Sequence, residues 1–220
     1  MTMFPKFIAF DLETTGLSKD KDEIIEIGAC KFTVELRNGR IEPKLLGEFE
    51  TFVKPNMLIP EEATRVNHIT DKMVENAPPL SECLQKFSAF CGQSSILLAH
   101  NADFDTGFLR VGYKKNPQYI PGNPVVDSLR ISKCILPELK GPDGKSNHKL
   151  GFMADMFKKR KEISMEIDAE KMHRAVYDCE MLMEVFVALL RRRLKEKDWD
   201  MSNIMAAMTK YNCGTQFINK

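Results

Sequence analysis

The sequence predicts an α/β protein: a mixed sheet, three antiparallel strands followed by parallel ones, flanked by helices. Two observations carry this reading. Three β-rich stretches, opening at Phe7, Ile24 and roughly Leu45, are joined by connections too short for a crossover, so neighbours run antiparallel. Farther along, short apolar strands alternate with segments of helical periodicity, which builds a parallel sheet covered by helices.

Taken in order, Phe7 begins the first strand, and a polar turn over Ser18 to Asp22 closes it. Ile24 to Val34 is the second strand, Arg37-Asn38-Gly39-Arg40 a turn, and Leu45 to Val53 the third strand. Pro55 to Pro60 reads as loop and Glu61 to Val66 as a short helix, with a further helix start at Thr70-Asp71. Ser81 opens a helix that Gly92 stops, with Leu84, Phe87, Ser88 and Cys91 at helical spacing. Ile96 to Ala99 is wholly apolar, as a central buried strand should be. Asp103 to Lys115 is a helix with Phe104, Phe108, Leu109 and Val111 as buried candidates. Val125-Val126 is a short strand, capped into a helix by Asp127 or Ser128. Pro137 to Asn147 is loop; Leu150 to Lys159 and Arg174 to Lys195 are helices. The expected division is a domain over 1–196 and a Met-rich helical extension over 197–220.

At 220 residues the chain is long enough for one sizeable core. Lys+Arg is 32 against Asp+Glu 31, and a formal charge of +1 neither selects nor excludes a nucleic-acid partner, because local patches decide. No apolar run approaches the roughly 20 residues a bilayer span needs, so no membrane partner is expected. The first six residues lead straight into a strand and leave no room for a signal peptide. Cys30, Cys83, Cys91, Cys134, Cys179 and Cys213 show no Cys-x-x-Cys spacing and read as reduced thiols of a cytoplasmic protein.

The first strand carries the chemistry. Asp11 and Glu13 are two apart, so they share one face while Phe10 and Leu12 point into the opposite layer. Two carboxylates on a mostly buried strand repel each other and lose solvation, and a cation between them removes both costs. Oxygen-only ligands suit a hard ion such as Mg²⁺ or Mn²⁺. Thr14-Thr15-Gly16 follows as a turn with free backbone N–H groups beside that ion. Two further acidic segments match: His100-Asn101-Ala102-Asp103-Phe104-Asp105, where a buried strand turns into a helix, and His173-Arg174-Ala175-Val176-Tyr177-Asp178, at the start of the long helix.

In this order and spacing the three segments resemble the DEDDh (DnaQ-like) 3′–5′ exonucleases, among them the epsilon proofreading subunit of bacterial DNA polymerase III. The resemblance covers about Phe7 to Leu190, with support from Ile24 to Gly28, Pro60 to Thr70, Val126 to Leu129 and His148 to Phe157. It implies a ribonuclease H-like fold. It implies two divalent cations, Mg²⁺ or Mn²⁺, held by Asp11, Glu13, Asp105 and Asp178, with Asp11 bridging them. His173 is then the general base. Arg174 stands where a sister branch has tyrosine, which indicates the histidine branch. Asp103 is extra to the pattern and reads as a solvated first-turn acid.

Five helical residues turn about 500°, or 140° net, so His173 and Asp178 share no face of a helix. Asp178 reaches the metal site only if His173 lies on a loop or a frayed first turn. The resemblance also implies that Thr14, Thr15 and Gly16 hold the terminal 3′-OH mainly through backbone. Leu17, Ala63 and Phe104 would form an apolar seat for the last bases. Asn67 falls where many members place a substrate-contacting histidine. The substrate implied is a single-stranded nucleic-acid 3′ end, DNA ahead of RNA, cut to 5′-mononucleotides.

Two basic runs, Lys158 to Lys161 and Arg191 to Arg193, read as solvated helix faces, the first also as a candidate for phosphate contact. Met201, Ile204, Met205 and Met208 form an apolar helical stripe. It fits either self-packing or the alternative function, a polymerase-associated docking subunit. A degenerate fold that binds without cutting is disfavoured by the five site residues present.

Overall fold

A five-stranded sheet in the order β3-β2-β1-β4-β5 forms the middle layer of the protein. It is seen in a computed structural model that describes residues 5–115, 117, 120–168 and 170–193. Strands β1 (Lys6–Thr14), β2 (Ile24–Arg37) and β3 (Arg40–Phe52) form the expected antiparallel meander. Strands β4 (Ser95–Ala99) and β5 (Val125–Asp127) add in parallel on the far side of β1. β2 and β3 run longer than their apolar stretches, because the Asn38-Gly39 turn, with φ of 50° and 75°, joins them in a tight hairpin. That turn twists with the strands and lets polar residues keep pairing beyond the core. The mixed α/β sheet is thus as the sequence predicts.

Seven helices join these strands among the described residues: α1 (Glu61–Asn67), α2 (Asp71–Val74), α3 (Leu80–Cys91), α4 (Ala102–Tyr113), α5 (Ser128–Ile135), α6 (Leu150–Lys159) and α7 (Ala175–Arg193). The period-2 alternation of β1 sorts its residues between two layers. Phe7 and Ala9 pack with Phe186, Leu182 and Met153 of α7 and α6. Ile8, Phe10 and Leu12 pack with Leu84, Phe87, Phe108 and Leu109 of α3 and α4. Phe7 stacks on Phe32 at 5.2 Å and meets Phe186 edge-on at 5.3 Å, which locks α7 onto the β1–β2 pair. A smaller cluster of Ile25, Ile59, Ile69 and Val74 anchors α1 and α2 to the end of β2.

Of the buried candidates in α4, Phe108 and Leu109 are buried, whereas Phe104 and Val111 are half-buried. Asp105 and Tyr113 take inward positions instead, Asp105 reaching the Leu12 N–H of β1 and the Tyr113 hydroxyl donating to the Leu84 carbonyl of α3. Within the basic runs Lys158 pairs with Glu166, Lys159 with Asp155, Arg191 with Glu42 and Arg192 with Glu162, while Arg160 and Lys161 stay exposed. Cys30, Cys83, Cys91 and Cys179 are buried free thiols, and Cys134 is exposed. No helix among the described residues is long and apolar enough to cross a membrane. The expected boundary at 196, the apolar stripe from Met201 and Cys213 lie outside the described residues.

Candidate active site

β1 outruns its parallel partner. Its pairing with β4 ends at Ala9, so Asp11 to Thr14 is paired on one side only, with β2. The space beyond is filled by the β4–α4 turn, where Asn101 adopts φ 68° and its N–H donates to the buried Asp127. That turn brings Asp105 back to β1, where its carboxylate accepts the Leu12 N–H at 3.2 Å. Asp11 and Glu13 continue the Phe7–Ala9 face and look toward α7.

The start of α7 is set by two residues of β2. Gly28 lies opposite Asp11, and a Cβ on it would sit 2.4 Å from the Ala175 carbonyl carbon. Glu26 lies opposite Glu13, fully buried, and accepts the Ala175 N–H at 3.1 Å and the Arg174 guanidinium at 2.9 Å. One carboxylate thereby caps a helix N-terminus and neutralises a neighbouring cation. The helix then projects Asp178 back over β1.

His173 precedes α7, outside the helix, with φ 64°. This irregular backbone resolves the angular conflict: ligand atoms of Glu13, His173 and Asp178 lie within 4.8 Å of one another. The other histidines are committed elsewhere. His100 bridges Ser128 and the His148 carbonyl, His148 meets Ser132, and His68 ends α1.

Four carboxyls converge with almost no balancing charge. Burial, then Asp105, Glu13 and Asp178, raises Asp11 well above the usual carboxylate range. Burial and Asp178 push Glu13 up to about 9. Burial pushes Asp105 up to about 8 against the lowering effect of its backbone hydrogen bonds. Burial lifts Asp178 to about 6, opposed by His173 through charge and a backbone hydrogen bond. Such a group holds protons unless cations replace them, and an all-oxygen set with one adjacent imidazole fits hard divalent ions.

The turn after β1 is braced rather than open. Thr15 donates its N–H to Glu23 and its hydroxyl to Asp22, and the Thr14 hydroxyl donates to the Gly16 carbonyl. Asp22 packs so closely that a Cβ on Gly16 would meet its carboxylate at 2.5 Å. The free N–H groups expected over Thr14 to Gly16 are therefore restricted: Thr15 is committed, whereas the N–H groups of Gly16 and Leu17 donate no backbone hydrogen bond among the described residues. Leu17 is 85 % exposed. Phe104 is half-buried, 5.0 Å from Phe108, and Ala63 packs on the Ile25 cluster. Asn67 is 2 % exposed, with its amide tied to the Thr14 carbonyl and the Ile69 N–H. Asp103 is exposed and pairs with Arg130 at 2.7 Å.

Sequence reasoning missed the parts played by Glu26, Gly28 and Asp22. The available signals were an acid and a glycine inside an otherwise apolar strand stretch, each of which needs a specific neighbour.

With this geometry in view, the relatives are informative. An exonuclease family model, RNase T, matches residues 8–186. The PolC-type DNA polymerase III of Oceanobacillus iheyensis is 35% identical over 192 residues, 87% of this chain and 12% of that protein. The one from Caldanaerobacter subterraneus subsp. tengcongensis is 37% identical over 187 residues, 85% of this chain and 12% of that protein. The chain thus spans about an eighth of the length of these relatives. Among solved structures, E. coli Exonuclease I in complex with a dT13 oligonucleotide superimposes with a TM-score of 0.67 at 17% identity, over 92% of this chain and 46% of that one. Exonuclease X in complex with 5′ overhanging duplex DNA gives 0.60 at 20% identity, over 92% and 99%. These two show a shared fold. The chain belongs to the DnaQ-like exonuclease family that the RNase T model describes.

Proposed function

We propose that the chain is a metal-dependent 3′–5′ exonuclease that shortens single-stranded nucleic-acid 3′ ends, DNA by preference, and releases 5′-mononucleotides. The observation that carries this reading is the convergence of Asp11, Glu13, Asp105 and Asp178 beside His173, each carboxyl raised above its ordinary range by burial and, for Asp11 and Glu13, by repulsion from the others. Two Mg²⁺ or Mn²⁺ ions held by these four acids would neutralise the phosphate, stabilise the leaving 3′ oxygen and acidify the attacking water. His173 would take the proton from that water. Its place outside α7 lets the imidazole approach the attacked phosphate while Asp178 stays fixed on the helix. Gly16 and Leu17 offer two unused N–H groups to the terminal nucleotide, and the exposed Leu17 side chain offers an apolar surface to its base. Phe104 and Ala63 would complete the same apolar seat. Buried Asn67 holds the end of β1 in place beneath it. The catalytic domain is taken to run over 1–196, with 197–220 as an extension.

Digestion of 3′- and 5′-labelled DNA and RNA oligomers, single- and double-stranded, with Mg²⁺ and with Mn²⁺ tests this. Stepwise loss from the 3′ end with mononucleotide products is expected, abolished by Asp11→Ala with the fold retained. Full activity of Asp11→Ala would refute the assignment.

A second reading rests on the relatives, which are named as DNA polymerase III: this chain acts beside a polymerase and its nuclease serves that partner. Co-elution with a polymerase on size-exclusion chromatography separates the two.

A further inference from the structure

We propose that the groove between α5, the Ser146–Lys149 segment and the start of α6 carries the substrate strand on the 5′ side of the cut. Lys133, Lys145 and Lys149 would take its phosphates. The proposal rests on the exonuclease reading and adds the path of the chain. The groove has a volume of about 1070 Å³, and His173 and Asp178 form one wall of it. That volume is at the upper end of the range of about 300–1,000 Å³ for sites that take one small molecule. Neither Gly16 nor Leu17 lines it. The groove is thus distinct from the Gly16–Leu17 seat proposed for the terminal nucleotide.

Charge supports the groove, because its lysines lie on the same lining as His173 and Asp178. In the runs with the densest positive charge in the sequence, Lys158, Lys159, Arg191 and Arg192 are paired with carboxylates. Lys133, Lys145 and Lys149 are exposed and make no ion pair among the described residues. Asp143 also lines the groove, and its carboxylate accepts the Lys145 backbone N–H at 3.0 Å. Lysines on a wall that also holds Phe152 and Leu129 combine phosphate attraction with apolar faces for bases, which suits a single strand of any sequence. A rigid duplex presents its bases to neither residue.

The test uses fluorescent single-stranded oligothymidylates of 12 nucleotides, bound to the inactive Asp11→Asn protein in Mg²⁺ at several salt concentrations. Each phosphate neutralised on a single strand contributes about 0.7 to the slope of log affinity against log salt. The triple variant Lys133→Gln/Lys145→Gln/Lys149→Gln should lower that slope by about 2. Lys158→Gln/Lys159→Gln/Arg192→Gln should leave it unchanged. In the active protein the groove variant should reduce kcat/KM for the 12-mer relative to a dinucleotide by about 10-fold or more. An unchanged slope and an unchanged length ratio would overturn the groove assignment while hydrolysis itself stands. Equally tight, lysine-dependent binding of blunt duplex would overturn the single-strand assignment. Absence of hydrolysis on every substrate would instead refute the exonuclease reading, and the binding slope would still report on the groove.

Discussion

Gly28 packs against the backbone of Ala175: a Cβ at Gly28 would lie 2.4 Å from the Ala175 carbonyl carbon and 2.5 Å from the Val176 nitrogen. Neither atom is the end of a flexible side chain, so α7 must move if a methyl is added. Gly28→Ala should therefore destabilise the protein by about 1–3 kcal/mol, the usual range for overpacking, and lower the melting temperature by a few degrees. It should also weaken Mg²⁺ binding, since the displaced helix carries Asp178. Thermal unfolding in EDTA and a Mg²⁺ titration check the two effects. An unaltered melting temperature would show that α7 approaches β2 less closely than this.

The acid cluster fixes the sign of a pH effect. In an unfolded chain aspartate and glutamate titrate near about 4, whereas in the folded apoprotein Asp105 titrates near 8 and Glu13 near 9. Between those limits the folded protein retains protons that the unfolded chain has released, so stability falls as pH rises. Buried His100, whose pKa is lowered by desolvation, works in the opposite sense only at lower pH. The melting temperature in EDTA should accordingly decline from pH 7 to pH 9. Saturating Mg²⁺ should flatten the decline, and Glu13→Gln should shrink it. A flat profile in EDTA would mean that the carboxyls are less buried than the geometry shows.

Much of this arrangement was legible in the sequence because it is local. Period-2 alternation gave the face shared by Asp11 and Glu13, and helical angles required His173 to leave α7, as it does at φ 64°. What was not legible depends on pairing across distant segments. Glu26 looks like a misplaced acid until Arg174, 148 residues away, and the Ala175 N–H reach it. The arginines of α7 look free until Glu42 and Glu162 fold against them. Thr15 looks like an open turn residue until Glu23 returns beside it. Residue types alone do not reveal which charges cancel, whereas the fold does.

The braced turn predicts strict use of a free 3′ end. Gly16 is pressed on Asp22 and Thr15 is bonded to Glu23, so the turn has little room to retreat from an incoming group. A terminal 3′-phosphate adds bulk and negative charge close to Glu13, and should abolish stepwise cleavage of an otherwise good oligomer. A circular single strand should resist digestion for the same reason. Cutting of the circle at a rate comparable to the linear form would show that the Gly16–Leu17 seat does not receive a terminus.

His173 poses the sharpest choice, because its ring lies within reach of Glu13 and Asp178 and so has two chemically reasonable roles, base or ligand. Its φ of 64° also complicates the usual alanine test, since alanine is strained in the left-handed region. His173→Asn and His173→Gly tolerate that backbone and so isolate the imidazole. If the ring takes the proton from the attacking water, both variants should lose roughly 10²–10⁴-fold in turnover, with half-saturating Mg²⁺ unchanged. Asparagine should do no better than glycine, because it can hydrogen-bond the water without accepting its proton. If the ring is a ligand, half-saturating Mg²⁺ should rise in both variants, and turnover should recover at high metal concentration. Near-normal turnover at ordinary Mg²⁺ would exclude both roles. It would leave the left-handed residue with a purely structural task, turning the chain so that Glu26 can cap Ala175 and α7 can present Asp178.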